Sequence, residues 1–193
     1  MKKIIALIMV AVLMLTFAAC GGNTDNGGKE ETPDVAIASP VELLNTVWAS
    51  YADEEKFPVA GGDMTEANMN MEGPGVYGLE DAEGFVAITH FPADSMAKID
   101  AAATLMHMMN ANTFTCAAYH VVDADMAVLV TEVKDSILAT RWMCGFPEKL
   151  VIVTVGEYMV SYFGNADLVS TFTTKLQAAY PSAEIVVDEP IVA

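Results

Sequence analysis

The stretch "LVIVTVGEYMVSYF", residues 150–163, decides the fold class. Two short apolar runs rich in Val, Ile and Tyr flank the pair Gly156-Glu157. Runs of this length and composition predict β-strands, and a Gly-X pair between them suits a two-residue type II′ turn. We therefore expect an antiparallel hairpin here, with the other elements arranged around it.

The segments before this hairpin predict two more strands and a helix. Residues 101–109 and 114–122 have the composition of strands, and the turn-rich linker between them predicts a second hairpin. A helix is expected over residues 124–142, with Asp123 as its N-cap. Its expected buried stripe comprises Met126, Leu129, Val130, Val133 and Ile137.

The segments after the hairpin complete an α+β pattern. Asn165 is the expected N-cap of another helix, and residues 183–189 (AEIVVDE) predict a last strand. From Phe114 onward the order is then β-α-β-β-α-β. This order resembles the split βαβ arrangement of ferredoxin-like domains, an antiparallel sheet with helices on one face. The resemblance is one of topology and implies no function.

The first part of the domain begins with a helix signal. Residues 39–42 (SPVE) form a capping box with proline at the first helical position, so we expect a helix from Pro40 to about Asp53. Residues 54–75 are irregular and rich in glycine, which is typical of a long functional loop or of a misassigned element. Residues 91–99 predict a short helix.

The N-terminus has the pattern of an export signal. A short basic start is followed by residues 4–19, an apolar run below the roughly 20 residues of a membrane-spanning helix. The sequence Phe-Ala-Ala-Cys at residues 17–20 resembles a bacterial lipobox. That resemblance implies a signal peptide at residues 1–19 and a diacylglycerol on Cys20, the new N-terminus. It places the protein at the extracytoplasmic face of the cell membrane, held there by lipid.

The next residues and the charge extend this interpretation. Residues 20–38 are largely polar and glycine-rich, so they predict a flexible tether before a single α+β domain at residues 39–193. The formal net charge is −17, and removal of Lys2 and Lys3 with the signal takes it to −19. Such acidity argues against binding of nucleic acid and against electrostatic docking on anionic lipid.

The element order, together with "GEYMVSYFGNADLVSTF" at residues 156–172, resembles a family of uncharacterised lipoproteins from Gram-positive, largely anaerobic bacteria. The resemblance covers residues 41–176. It implies this fold and a lipid anchor, and it brings no catalytic residues. Two stretches, "MMNANTF" at residues 108–114 and "RWMCGFPEKL" at residues 141–150, are more particular than the general pattern.

The motifs of common enzymes are missing from the sequence, which has no G-x-S-x-G, H-E-x-x-H or C-x-x-C. We therefore predict a non-enzymatic binding or envelope-assembly domain with no cofactor and with an unknown protein or small-molecule partner. The alternative is a lipoprotein that binds copper or zinc. Soft thioether ligands are supplied by a loop with Met64, Met69 and Met71 and by methionines that flank His107. Methionine is also an adaptable core filler, which is the structural explanation of the same residues.

The second predicted hairpin offers a more specific metal site. A regular linker would pair Met109 with Phe114 and His107 with Cys116, which places His107, Cys116 and His120 on one face. These three side chains are the kinds that bind zinc. Because this face is mostly apolar, we expect the two histidines to be partly buried and hydrogen-bonded, and a metal site at His107, Cys116 and His120 is the alternative.

A disulfide between Cys116 and Cys144 is the last prediction. Lipidation of Cys20 leaves these two cysteines in an exported domain, where disulfides persist. Cys116 lies near the start of a strand and Cys144 lies just past the helix that follows, and such a helix returns to the beginning of its strand. The alternative is a pair of free, buried thiols.

Overall fold

A seven-stranded antiparallel sheet forms the centre of the computed structural model, which describes residues 36–63 and 65–192. The strands are β1 (Val59–Ala60), β2 (Gly75–Tyr77), β3 (Ile99–His107), β4 (Phe114–Val121), β5 (Lys149–Val155), β6 (Tyr158–Gly164) and β7 (Glu184–Pro190). Their order is β1-β3-β4-β6-β5-β7, and β2 also pairs with β3. The predicted α+β class with an antiparallel sheet is confirmed.

Four α-helices pack on this sheet: α1 (Pro40–Ala49), α2 (Ala82–Thr89), α3 (Met126–Leu138) and α4 (Ala166–Ala179). Short 3₁₀ turns span Asp53–Glu55, Ala93–Lys98 and Ala111–Thr113. Ser39 and Asn165 cap α1 and α4 through their side chains, as predicted. The N-cap of α3 is Asp125 rather than Asp123, because the Asp125 carboxylate accepts hydrogen bonds from the next free amides.

The hairpin of β5 and β6 has the predicted geometry. Val155 pairs with Tyr158, so the turn contains two residues, Gly156 and Glu157. Gly156 has φ 57 and Glu157 has a negative φ, a combination that fits a type II′ turn and excludes type I′.

Helices cover both faces of the sheet, so the prediction of helices on one face is wrong. One face packs against α1 and α4, through core residues such as Cys116, Tyr162 and Phe172. The other packs against α2 and α3, through residues such as Tyr119 and Leu129. The strands between them are buried on both sides, which is why they are apolar at almost every position.

The strand order explains this difference from a ferredoxin-like sheet. In the ferredoxin-like order the last strand would pair with β4, but β3 occupies that place and β7 pairs with β5. The connections β4-α3-β5 and β6-α4-β7 therefore cross the sheet in the same direction from antiparallel strands. Because such crossovers are right-handed, the two helices must lie on opposite faces.

The sheet has two unlike ends. We call the end with the Gly156-Glu157 turn the turn end; there the Tyr158 hydroxyl donates to the Ile37 carbonyl at 3.2 Å. At the loop end, the β3–β4 loop (residues 108–113) and the α3–β5 loop (residues 139–148) meet. Within the described part of the chain, no helix is both long and apolar enough to cross a membrane. Residues 1–35, which include the predicted signal and Cys20, and Met64 lie outside the described residues.

Candidate functional site

Amide side chains join the two loops of the loop end. The Nδ2 of Asn110 donates to the Cys144 carbonyl at 2.7 Å. The Nδ2 of Asn112 donates to the Met143 and Gly145 carbonyls at 2.9 and 3.1 Å. These carbonyls follow the end of α3 and have no strand partner, so the asparagines satisfy backbone groups that would otherwise need water. The α3–β5 loop therefore has a defined position on the β3–β4 loop.

Close contacts between backbone atoms at the end of β6 and in the β3–β4 loop hold the same region in place. Gly164 ends β6 with φ 149, and a Cβ there would overlap the carbonyl oxygen of Thr113. The amide of Asn165 donates to that same carbonyl at 2.8 Å. Trp142 packs its ring against Phe163, with 5.1 Å between ring centroids, which anchors the α3–β5 loop to the sheet.

A polar cleft of about 230 Å³ opens between these loops and the start of α4. It is lined by Asn110, Asn112, Thr113, Gly145, Phe146, Glu148 and Asn165. The Glu148 carboxylate accepts a hydrogen bond from the Ala166 amide at 2.8 Å, in the first turn of α4. A carboxylate in this position stabilises the positive end of the helix, so Glu148 has a structural function.

The two joined loops carry four exposed apolar side chains, which we call the loop-end surface: Met108, Met109, Met143 and Phe146. Met109 is 78% exposed, Met143 is 73% exposed and Phe146 is 66% exposed. Apart from Val192, near the chain terminus, these are the three most exposed large apolar side chains of the described residues. Single exposed apolar residues are ordinary, but a cluster of them marks an interaction surface.

The alternative metal site at His107, Cys116 and His120 does not form. Leu105 pairs with Cys116, a register displaced by two residues from the predicted one, so His107 and Cys116 still share a face. His120, however, pairs with Ala101, six positions along β3 from His107, which corresponds to about 20 Å. Among residues 36–63 and 65–192, no three His, Cys, Asp or Glu side chains are grouped so that they could hold a metal ion.

Both histidines of that hypothesis have structural contacts instead. His107 stacks on Phe57, with 5.7 Å between ring centroids, and its Nδ1 accepts from the Met109 amide. The Nδ1 of His120 lies 2.6 Å from the Asp100 carboxylate. Both histidines are therefore partly buried and hydrogen-bonded, as expected.

The predicted disulfide is also wrong, because Cys116 and Cys144 are free thiols. The α3–β5 loop does return to the beginning of β4, as expected, and Asn110 binds the Cys144 carbonyl there. Cys116 points to the other face of the sheet, where it is buried with α1 and α4. Because α3 covers the opposite face, Cys144 follows it there and remains exposed.

Most of the described methionines do not fill the core. Of the described methionines, only Met159 is fully buried. Met69, Met71, Met108, Met109 and Met143 are exposed. Packing therefore does not explain the last three, which belong to the loop-end surface.

Two other polar clusters serve the fold. The Asp63 carboxylate accepts hydrogen bonds from Thr65, Asn68 and Gly78, and these bonds hold its pKa well below the usual range. They fasten the irregular segment between β1 and β2. Glu132 accepts from Lys98 and from the Ser95 hydroxyl, and these hydrogen bonds lower its pKa, which makes it a poor general base.

Sequence reasoning did not identify the loop-end surface as a site, although a signal was present. The two stretches that looked more particular than the rest, residues 108–114 and 141–150, contain all four of its side chains and both asparagines that join the loops. No known protein family, no curated protein and no solved structure matches the chain. The resemblance to a lipoprotein family therefore stays a prediction.

Proposed function

We propose that this protein is a lipid-anchored extracytoplasmic domain that binds a protein partner through the loop-end surface. The observation that carries the proposal is the cluster of Met109, Met143 and Phe146, each about two-thirds exposed or more on two joined loops. A surface that is already ordered loses little conformational entropy on binding, so its apolar contacts contribute to affinity.

The non-enzymatic part of the proposal is supported by the polar clusters. Glu148 interacts with the first turn of α4, Asp63 fastens a loop, and Glu132 joins the segment Ala93–Lys98 to α3. Each of these carboxylates accepts hydrogen bonds that join two parts of the fold, so each has a structural explanation. The loop-end cleft itself is lined by amides that already bind backbone groups.

The anchor part rests on the N-terminal sequence and is tested by fractionation. We expect Cys20→Ala to leave the domain folded and to move it from the detergent phase to the soluble fraction or the medium. Residues 20–35 contain few apolar side chains and lie outside the described core, so folding should not depend on them. A variant that stays in the detergent phase contradicts the anchor.

The binding part is tested by photo-crosslinking in intact cells. A photo-activatable amino acid replaces Met109 in one variant and Val128 in a control variant. Val128 is 51% exposed and lies on α3, away from the two loops. We expect a covalent adduct of defined mass from position 109 and not from position 128. The absence of an adduct at 109, or the same adducts at both positions, contradicts the proposed function.

A further inference from the structure

One basic side chain of the described residues differs from all the others. The five described lysines each form an ion pair, namely Lys56 with Asp53, Lys98 with Glu132, Lys134 with Glu189, Lys149 with Asp188 and Lys175 with Glu55. Arg141 is exposed and has neither an ion pair nor a hydrogen bond with any residue that the structure describes.

An unpaired arginine is notable in a chain of this composition. The sequence has 26 acidic residues and nine basic ones, so carboxylates are abundant at the surface. The guanidinium presents five donors in a planar fork that matches a carboxylate, and it is the preferred cation for interface ion pairs. Arg141 is therefore unpaired among the described residues, although carboxylates that could pair with it are abundant at the surface.

Arg141 also lies next to the loop-end surface. It lies in the α3–β5 loop two residues before Met143, a separation of at most about 7 Å along the chain. Its neighbour Trp142 is held against Phe163 and His90, which limits the movement of the loop at this point. Methionine, phenylalanine and arginine are the residue types enriched in protein interfaces, whereas lysine and the acidic residues are depleted.

We propose that the loop-end surface binds a different protein through an apolar segment flanked by a carboxylate, and that this carboxylate pairs with Arg141. The inference rests on the proposed function and adds the chemistry of the partner. A basic segment would place its charge against the only unpaired cation of the described residues. A single carboxylate beside Arg141 interacts with the guanidinium at contact distance, whereas carboxylates of the domain more than about 8 Å away are largely screened at physiological salt.

A membrane surface is the less favoured occupant. Anionic lipid would meet one arginine at the loop end and a domain whose net charge is strongly negative.

Zero-length coupling in intact cells tests the carboxylate directly. The Arg141→Lys variant keeps the positive charge and supplies an amine. A carbodiimide activates the partner's carboxylate, the amine displaces the resulting urea, and an amide bond forms. We expect an adduct linked through residue 141 in this variant, with the same partner that position 109 captures. No link through residue 141 should form in the unaltered chain, because arginine does not couple; peptide mapping locates the link.

Charge reversal gives the second readout. We expect Arg141→Glu to lower the yield of the photo-adduct at position 109 at least tenfold, because two carboxylates would then face each other. Lys56→Glu makes the same change in net charge at an exposed site outside the two loops, and we expect it to leave the yield unchanged.

The outcomes separate the two proposals. If the photo-adduct at 109 forms but is insensitive to Arg141→Glu and no carbodiimide adduct appears, the proposed function stands and this inference is overturned. If no photo-adduct forms, both are overturned. Binding of the purified protein to phosphatidylglycerol vesicles that is lost in Met109→Ser would identify the partner as lipid, and an adduct of twice the chain mass would identify it as a second copy. Either result overturns the inference.

Discussion

The two ends of the central sheet connect their strands in different ways and expose different side chains. At the turn end, β5 and β6 are joined by two residues, and the nearby side chains are polar or charged, with His120 between Asp100 and Glu157. At the loop end, two longer loops meet through asparagine side chains and expose four large apolar residues. Hydrogen bonds hold both ends, but the most exposed of the large apolar side chains on the sheet's loops, Met109, Met143 and Phe146, lie at the loop end.

This comparison shows that the exposed methionines are not needed to hold the loops. The fastening contacts are hydrogen bonds from Asn110 and Asn112 to main-chain carbonyls, together with the packing of Trp142 on Phe163. The apolar side chains of the loop-end surface lie outside those contacts. Polar residues at these positions would leave the fold intact, as the polar side chains near the Gly156-Glu157 turn do. The presence of exposed apolar residues at the loop end is therefore explained by something other than folding.

The largest expected effect tests this separation with a matched pair of phenylalanines. Phe114 is fully buried and packs against Phe57 and Phe172, with ring centroids 5.3 and 5.5 Å apart. We expect Phe114→Ala to lower the free energy of unfolding by about 3–5 kcal/mol. Phe146→Ala, at the exposed surface, should change it by less than about 0.5 kcal/mol. Urea unfolding of both variants measures the difference, and a large loss in Phe146→Ala would show that the surface belongs to the core.

A pair of glycines compares the backbone at the two ends. Gly164 has φ 149 and its space is filled by the Thr113 backbone, whereas a Cβ at Gly156 would meet no atom within 4 Å. We expect Gly164→Ala to cost about 3 kcal/mol, since strain and overlap each cost about 1–3 kcal/mol. Gly156→Ala should cost about 1–2 kcal/mol, from the left-handed conformation alone. Thermal unfolding provides the measurement, and equal losses would contradict the difference between the ends.

The asparagine contacts give a smaller effect with a local readout. Asn112→Ala removes the donors to the Met143 and Gly145 carbonyls, and we expect a loss of about 1–2 kcal/mol in unfolding free energy. Hydrogen exchange should show faster exchange of amides in the α3–β5 loop and little change in β5. If exchange in the loop is unaltered, the loop is held by Trp142 rather than by the asparagine.

The smallest effect is expected at the turn end. Tyr158→Phe removes one hydrogen bond, from the hydroxyl to the Ile37 carbonyl, in a partly buried place. We expect a loss of about 0.5–1 kcal/mol, less than for Asn112→Ala, because a single neutral hydrogen bond is lost and water can replace it. A loss larger than that of Asn112→Ala in the same urea series would reverse the order of the two ends.

Local sequence patterns predicted the elements that local chemistry controls. The β5–β6 hairpin follows from its Gly-X turn and β-branched runs, and α1 and α4 follow from the Ser39 and Asn165 caps. α2 was not predicted, because a helix of eight residues with a glycine and only Phe85 and Thr89 buried has a weak periodic pattern.

The placement of β7 could not be predicted, because it depends on competition between two sheet edges. The β4 and β5 edges are both apolar, and the pairing of β3 with β4 excluded the ferredoxin-like choice. The placement of β7 reversed the direction of the β6-α4-β7 crossover and so put α4 on the face opposite α3. The disulfide prediction failed because Cys116 points to the face covered by α1 and α4, away from α3. The exposure of Met109 and Phe146 likewise depends on where two distant loops meet, which no local pattern contains.

The pairing of β3 with β1 and β2 also determines how the domain responds to tension. Ile37 is bound at the turn end, while the loop-end surface lies about seven residues away along β6. A pull applied between these two points runs parallel to the strands. The chain between Ile37 and the β3–β4 loop runs through β1, β2 and β3. The hydrogen bonds that pair these strands are perpendicular to the pull, so they are loaded together in shear rather than opened one after another. A domain stretched between a fixed N-terminus and a cargo on its loops would therefore resist mechanical unfolding along its strongest axis.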